Sequence, residues 1–335
     1  MPSLKPAPDP LHGSAVGRPP ATPGWLERQL ELGTLRLDAA AARFERGPLA
    51  MARSIIIALG VLLLMAWATR EAGLRGDGAW PGALLAGWLL CLISFSLYAW
   101  RFCHSLRVFE LALRTRQSLR INLLAMFYQC FLPLAVGADL TRYVKLRGLA
   151  PDRRPLFMAG GIVLDHLVGL VSLGLLALPV GGLALVRHGL VEGADVVVAV
   201  PMLIALGALL LRRHAVIAPG ATLQYRLRSH WRSLVAAIAL SMAMHCVTAA
   251  AIYAGSRGWP LTIAYSDILL VLTLSFMLQS VPFNLLGLGA AEIGSAALYV
   301  ALGLSPAAAV LLVSMLYAYR LLLAALGGLW DLLPD

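Results

Sequence analysis

QCFLPLAVGADLTRYVK, residues 129–145, is the stretch that decides how this chain is read. It lies in an apolar segment that begins near Ile121, yet it holds Pro133, Gly137, Asp139 and Arg142. A plain membrane anchor has no use for any of them. Proline and glycine break a helix, and backbone freed at membrane depth has to be buried in protein or line a wet cavity. A charge there costs about 2.5–3.5 kcal/mol on insertion scales, so it faces a partner or a pathway. A second interrupted segment, SVPFNLLGLGAAE at residues 280–292, repeats the grammar of proline, then glycines, then a single acid. Two broken hydrophobic segments in corresponding halves point to a transporter binding site.

Composition agrees. The 335 residues are 60% hydrophobic and 13% charged, with a mean hydropathy of +0.80. Soluble domains are about a quarter charged, so this is an all-α, polytopic membrane protein. Its net charge of +10 falls in short loops between apolar spans. That pattern sets topology and meets anionic lipid, and it excludes nucleic acid as a partner. Cys91, Cys103, Cys130 and Cys246 are scattered, so neither a metal site nor a disulfide framework is expected. No nucleophile elbow, zinc-protease motif or phosphate loop occurs, so no catalytic residue and no cofactor is proposed and the chain is not read as an enzyme.

Residues 1–24 are rich in proline and small residues and read as disordered. Residues 25–47 mix Leu and Phe with Arg and Glu, which fits an interfacial helix or a solvated coil. A cytoplasmic segment 1–50 therefore precedes a membrane domain 51–331, and no cleavable signal is seen. Apolar runs follow at 51–69, 80–100, 121–136, 156–186, 196–211, 234–253, 268–281, 285–304 and 307–330, predicting about six to eight spans. Five arginines precede the first run and put the N-terminus in the cytoplasm. The loops 101–120 and 142–154 are both basic, yet one short apolar run separates them. A single crossing cannot satisfy both. The run 121–139 is thus expected to enter, break near Pro133 and Gly137, and return to the same side. An inverted repeat makes 268–304 its mirror image, entering from the outside.

Several side chains are candidates for chemistry. Asp139 reads either as a helix N-cap or as a headgroup or ion contact, with Gly137 admitting backbone N–H groups to an anion and Arg142 pairing with it. Asp165 and His166 fall near the middle of the span starting at Pro155, where a buried acid needs a cation. Arg320 is the first candidate for that cation, with Arg101 and Arg142 behind it. Glu292 follows Gly287 and Gly289 and suits the positive end of a helix. His245, alone on a long span, reads as a hydrogen-bonded core histidine. Ser280 and Asn284 can satisfy backbone freed around Pro282.

These residues resemble a known signature. QCFLPLAVGADLTRYVKLRG is similar to the motif of the lysylphosphatidylglycerol synthase transmembrane-region family, a group of flippase-like bacterial and archaeal membrane proteins. In that motif Asn-x-Phe-x-Pro leads to Gly-Gly-Asp and an Arg three residues on. Here Gln129 takes the Asn position, Phe131, Pro133, Asp139 and Arg142 match, and Ala138 replaces the second Gly. An Asp-Arg pair of the next span is here Asp165 and His166. A second motif, Gly-x-Gly-x-Arg-Glu, is met by Gly287, Gly289 and Glu292, with Ala291 for Arg, and Arg320 matches a late basic position. The resemblance implies a bacterial inner-membrane protein that moves a polar or anionic lipid between leaflets. It also implies membrane lipids as partners, with envelope-biosynthesis proteins beside them. An enzyme or accessory subunit of an envelope-lipid or lipid-linked glycan pathway is the alternative. The namesake's aminoacyl-transferase domain does not follow before Asp335, so synthase activity is not expected.

Overall fold

The computed structural model describes residues 59–60, 63–71, 80–131, 137–177, 179, 186, 220–279 and 290–331. Its helices are α1 (Trp80–Arg107), α2 (Thr115–Phe131), α3 (Gly137–Leu149), α4 (Pro155–Leu176), α5 (Gly220–Ser229), α6 (Trp231–Ser256), α7 (Tyr265–Gln279), α8 (Ala290–Ala301) and α9 (Pro306–Asp331). The expected N-terminal segment 1–50, the run 196–211, most of 51–69, Pro133, Ser280, Pro282, Asn284, Gly287 and Gly289 lie outside the described residues.

Length separates two kinds of helix. Among the described residues α1, α4, α6 and α9 are long and apolar enough to cross a membrane, which makes this a multi-pass membrane helix bundle. The helices α2, α3, α7 and α8 hold only 17, 13, 15 and 12 residues. At 1.5 Å per residue they reach about 18–25 Å, short of the ~30 Å hydrocarbon core. These short helices are the two halves of each broken segment.

Their ends show where each pair enters. The turn after α1 carries Glu110, whose carboxylate meets Arg153 before α4 at 3.4 Å and Arg226 of α5 at 3.0 Å. Phe109 and Phe157 pack in the same place, ring centroids 6.3 Å apart. The chain thus enters α2 and leaves α3 at one end of the bundle, so this pair returns without crossing. The second pair is built alike. Asp267 in the first turn of α7 lies close to Tyr299 near the end of α8, and Ser275 bonds Ser295 midway.

The halves run in opposite directions. Ser94 of α1 donates to the Met244 carbonyl of α6 at 3.0 Å, and Arg101 reaches Ser241 at 3.0 Å. At the far end a Cβ on Gly258 would lie 2.7 Å from Trp80 Cα. Rising numbers on α1 meet falling numbers on α6, so the leading spans of the two halves are antiparallel. The broken pairs therefore enter from opposite ends, as the inverted arrangement requires. Small residues permit such close crossings. A side chain on Gly87 would strike the Tyr319 hydroxyl, and one on Gly327 the Leu123 carbonyl, which seats α9 against α1 and α2.

Helix ends follow sequence rules. Pro155 and Pro306 open α4 and α9 where no intrahelical N–H is needed. After α8, Gly303 at φ 94° places its N–H on Val300 and that of Leu304 on Tyr299, a glycine stop. The same stop ends α1, but with Glu110 at φ 60° in the left-handed position. A side chain is strained there. What Glu110 supplies in return is the carboxylate that holds two arginines.

Two charges of the predicted basic loops are buried. Arg101 and Arg142 were assigned to basic loops, yet both lie inside helices and are 5% and 8% exposed. The helix α1 continues almost two turns past Trp100, where hydropathy falls, because its last turns are buried by protein and not by lipid. Arg107, Arg114, Arg116, Arg120, Lys145, Arg147, Arg153 and Arg154 lie in or beside the two connections, after α1 and before α4, that share one end.

Candidate functional site

Asp165 and His166 are neighbours on α4, and consecutive helical positions point about 100° apart. One turns inward to α1, the other to α3. Inward, Asp165 (1% exposed) takes a bidentate grip from Arg101: Nε donates to Oδ1 at 3.0 Å and Nη2 to Oδ2 at 2.6 Å. Ser105 donates to Oδ1 at 3.1 Å, and the remaining guanidinium nitrogen of Arg101 donates to Ser241 on α6. Bidentate geometry and saturated oxygens are what make a buried pair tolerable. Gly169 makes room for it, since a Cβ there would lie 3.1 Å from Arg101 Nη1.

Arg320 is therefore not the partner of Asp165. It sits 3.7 Å from Glu292 in the other half. Arg101, ranked behind it in sequence, takes the place because the antiparallel packing of α1 on α4 brings residue 101 level with residue 165. Hydropathy gives the depth of an acid but not its neighbour.

Outward, the chain of contacts continues. Tyr98, one turn before Arg101, stacks under that guanidinium at 4.7 Å and accepts a hydrogen bond from Arg142 Nη2 through its hydroxyl. Arg142 Nη1 donates to Asp139 Oδ1 at 2.8 Å, and His166 Nε2 lies 2.9 Å from Asp139 Oδ2. Arg142 Nε has no hydrogen-bond partner among the described residues although it is buried. Exposure climbs along this path, from 1% for Asp165 and 9% for the Arg142 side chain to 37% for Asp139 and 57% for His166. Asp139 sits in the first turn of α3, directly after the break, where its charge suits the helix dipole. It is engaged by the Arg142 guanidinium and the His166 ring and not by cap geometry alone. Gly137 begins α3 and is buried, accepting from Thr141 at its carbonyl; Gln129 is exposed in the last turns of α2.

The second half repeats this in a looser but more covered form. Glu292 is in the first turn of α8, after the other break, and pairs with Arg320 in α9. These side chains are 14% and 23% exposed, more covered than Asp139 and His166. Arg320 also lies 5.4 Å over the Phe276 ring of α7. Beside them is a cavity of about 20 Å³, lined by Ser275, Phe276, Glu292, Ser295 and Arg320 among others. It holds about one water and no headgroup.

Sequence reasoning missed Tyr98, Ser105 and Ser241, and gave Arg101 only a reserve place. A tyrosine and an arginine three residues apart, in an otherwise apolar span, were the available signal. His245 is buried as expected but is not hydrogen-bonded: neither ring nitrogen has a partner among the described residues. No metal-binding group of His, Cys, Asp and Glu occurs among the described residues.

The chain matches the family described as the lysylphosphatidylglycerol synthase TM region over residues 51–328. It belongs to that family. No curated protein and no solved structure matches it.

Proposed function

Taking membership of that family as the premise, we propose that this integral membrane protein moves a polar or anionic lipid between the leaflets of the bacterial inner membrane. The observation that carries this reading is the graded ionic path from Asp165, buried at mid-span, to Asp139 and His166, open at the mouth of the first break. Charge at that depth is expensive and marks a pathway for a polar group. Arg142 supports a phosphate as that group. It is held on Asp139 and Tyr98 while its Nε keeps a donor in reserve. The family is a transmembrane region and not a catalytic domain, which fits a translocator that makes and breaks no bond.

The test is a leaflet-resolved assay. Purified protein in proteoliposomes carrying a fluorescent phosphatidylglycerol is treated with an impermeant quencher. Wild type should move the probe into the outer leaflet faster than empty vesicles. Equal rates in protein-containing and empty vesicles would sink the proposal and favour a non-transporting role.

A further inference from the structure

We propose that His245 is a third station on the path, lying between the two half-sites and giving a hydrogen bond to a phosphate oxygen of the passing lipid; this rests on the translocation reading. His245 is 5% exposed, yet both its ring nitrogens are without a partner among the described residues. A buried polar group left unmatched costs free energy in every resting molecule. A ring needed only for packing would be better supplied by phenylalanine, which orphans nothing. The orphaned imidazole fits a partner that arrives from outside.

Its position says which partner. His245 lies one turn beyond Ser241 on the same face of α6, and Ser241 accepts from Arg101 of the first half. Its ring is 5.4 Å from that of Phe276, and the Phe276 ring also carries the Arg320 guanidinium of the second half. His245 thus stands between the two cations that anchor the half-sites. Both acids nearby, Asp165 and Glu292, are already engaged by Arg101 and Arg320. Each of those cations is thereby matched by an acid, and the group left over is the imidazole, whose N–H can donate to a phosphate oxygen. Phe276 borders the small cavity and is the ring between the imidazole and that space. His245 and the cavity of Glu292 and Arg320 thus share the Phe276 ring as a wall.

The experiment uses the full chain purified in detergent, with short-chain phosphatidylglycerol as the probe and inorganic phosphate as a second arm. Wild type should gain several degrees of Tm with the lipid. His245→Leu should keep its own Tm or raise it, lose that gain, and in proteoliposomes move lipid about tenfold more slowly. His245→Gln, which keeps a donor, should retain part of both. If the leucine variant does not purify folded, His245→Phe, whose ring keeps the packing on Phe276, gives the same two readings. A lipid-induced gain as large in the variant as in wild type overturns the proposal, as does a wild type that neither probe stabilises. A gain produced by inorganic phosphate alone and lost in the variant upholds the phosphate contact and assigns it to a free anion. A wild type that moves no lipid but whose gain is lost in the variant upholds His245 as a ligand contact and rejects translocation.

Discussion

The first half of this protein stands open and the second closed. Asp139 and Glu292 each occupy the first turn after a break, and each meets a basic side chain on the next long helix. In the first half that side chain is His166, largely exposed; in the second it is Arg320, mostly covered. The first half also has an inner pair, Arg101–Asp165, that ties its spans together. One residue before Arg320, as Asp165 stands one before His166, the second half has Tyr319, whose hydroxyl donates to the Leu84 carbonyl of α1 at 3.1 Å. One architecture therefore carries two electrostatic designs. Elements that share backbone geometry can still divide the work of holding the bundle and of meeting a ligand.

The largest effect separates the halves by rigidity. Asp165→Leu strands the Arg101 cation in the core and should cost about 3–5 kcal/mol, read as a fall in Tm or loss of folded protein. Glu292→Leu breaks a partly covered pair and should cost clearly less. Arg101→Met combined with Asp165→Leu should recover much of the loss, whereas Arg320→Gln combined with Asp165→Asn should be additive. Coupling of Asp165 to Arg320 would refute the pairing described above.

The next effect is on transport. Arg142→Gln removes the fork that Asp139 and Tyr98 hold and should slow lipid movement about tenfold while leaving a folded protein in the membrane. Asp139→Asn keeps the first-turn side chain but loses its charge. Full activity in that variant would reduce Asp139 to a helix-end residue and erase the functional likeness to Glu292.

A smaller change makes the halves more alike. His166→Arg gives the open half a permanent cation, as Arg320 gives the closed one. The variant should fold as wild type and hold Asp139 more tightly, so lipid movement should slow by a few-fold at most. A complete loss would mean that the imidazole itself is needed. The smallest effect concerns Glu110. Glu110→Gly relieves the left-handed backbone but loses two exposed ion pairs, each worth about 0.2–1 kcal/mol, so Tm should barely move. A large fall would show that Glu110 does more than join the turns.

Much of this was legible in the chain. Pro133 with Gly137, and the two flanking basic loops, predicted a segment that enters and returns, and the turns of Glu110 and Arg153 do share an end. Asp139, Arg142, Asp165 and His166 were all marked, and all four fall on one connected path with Arg101. Partner identity was not legible. Asp165 announced a need for a cation, but Arg101, Arg142 and Arg320 differ only in where packing brings them. Glycines such as Gly87, Gly169 and Gly255 decide that packing, and a glycine in an apolar run carries no label of the side chain it admits. His245 was misread for a related reason: burial of a histidine is predictable from hydropathy, whereas the absence of its hydrogen bond depends on every neighbour.

The antiparallel seam between α1 and α6 has a consequence for how the molecule is born. A scaffold whose halves are related by turning one over has little in its outline to tell top from bottom. Its orientation is then settled by ballast, the guanidinium groups crowded where Glu110 gathers Arg153 and Arg226. Membrane insertion reads such an imbalance of arginine and lysine when it fixes which face stays in the cytoplasm. Shifting a few of those residues to the Trp80 end would leave the fold intact and let the same machine be installed upside down, with its open mouth to the opposite leaflet.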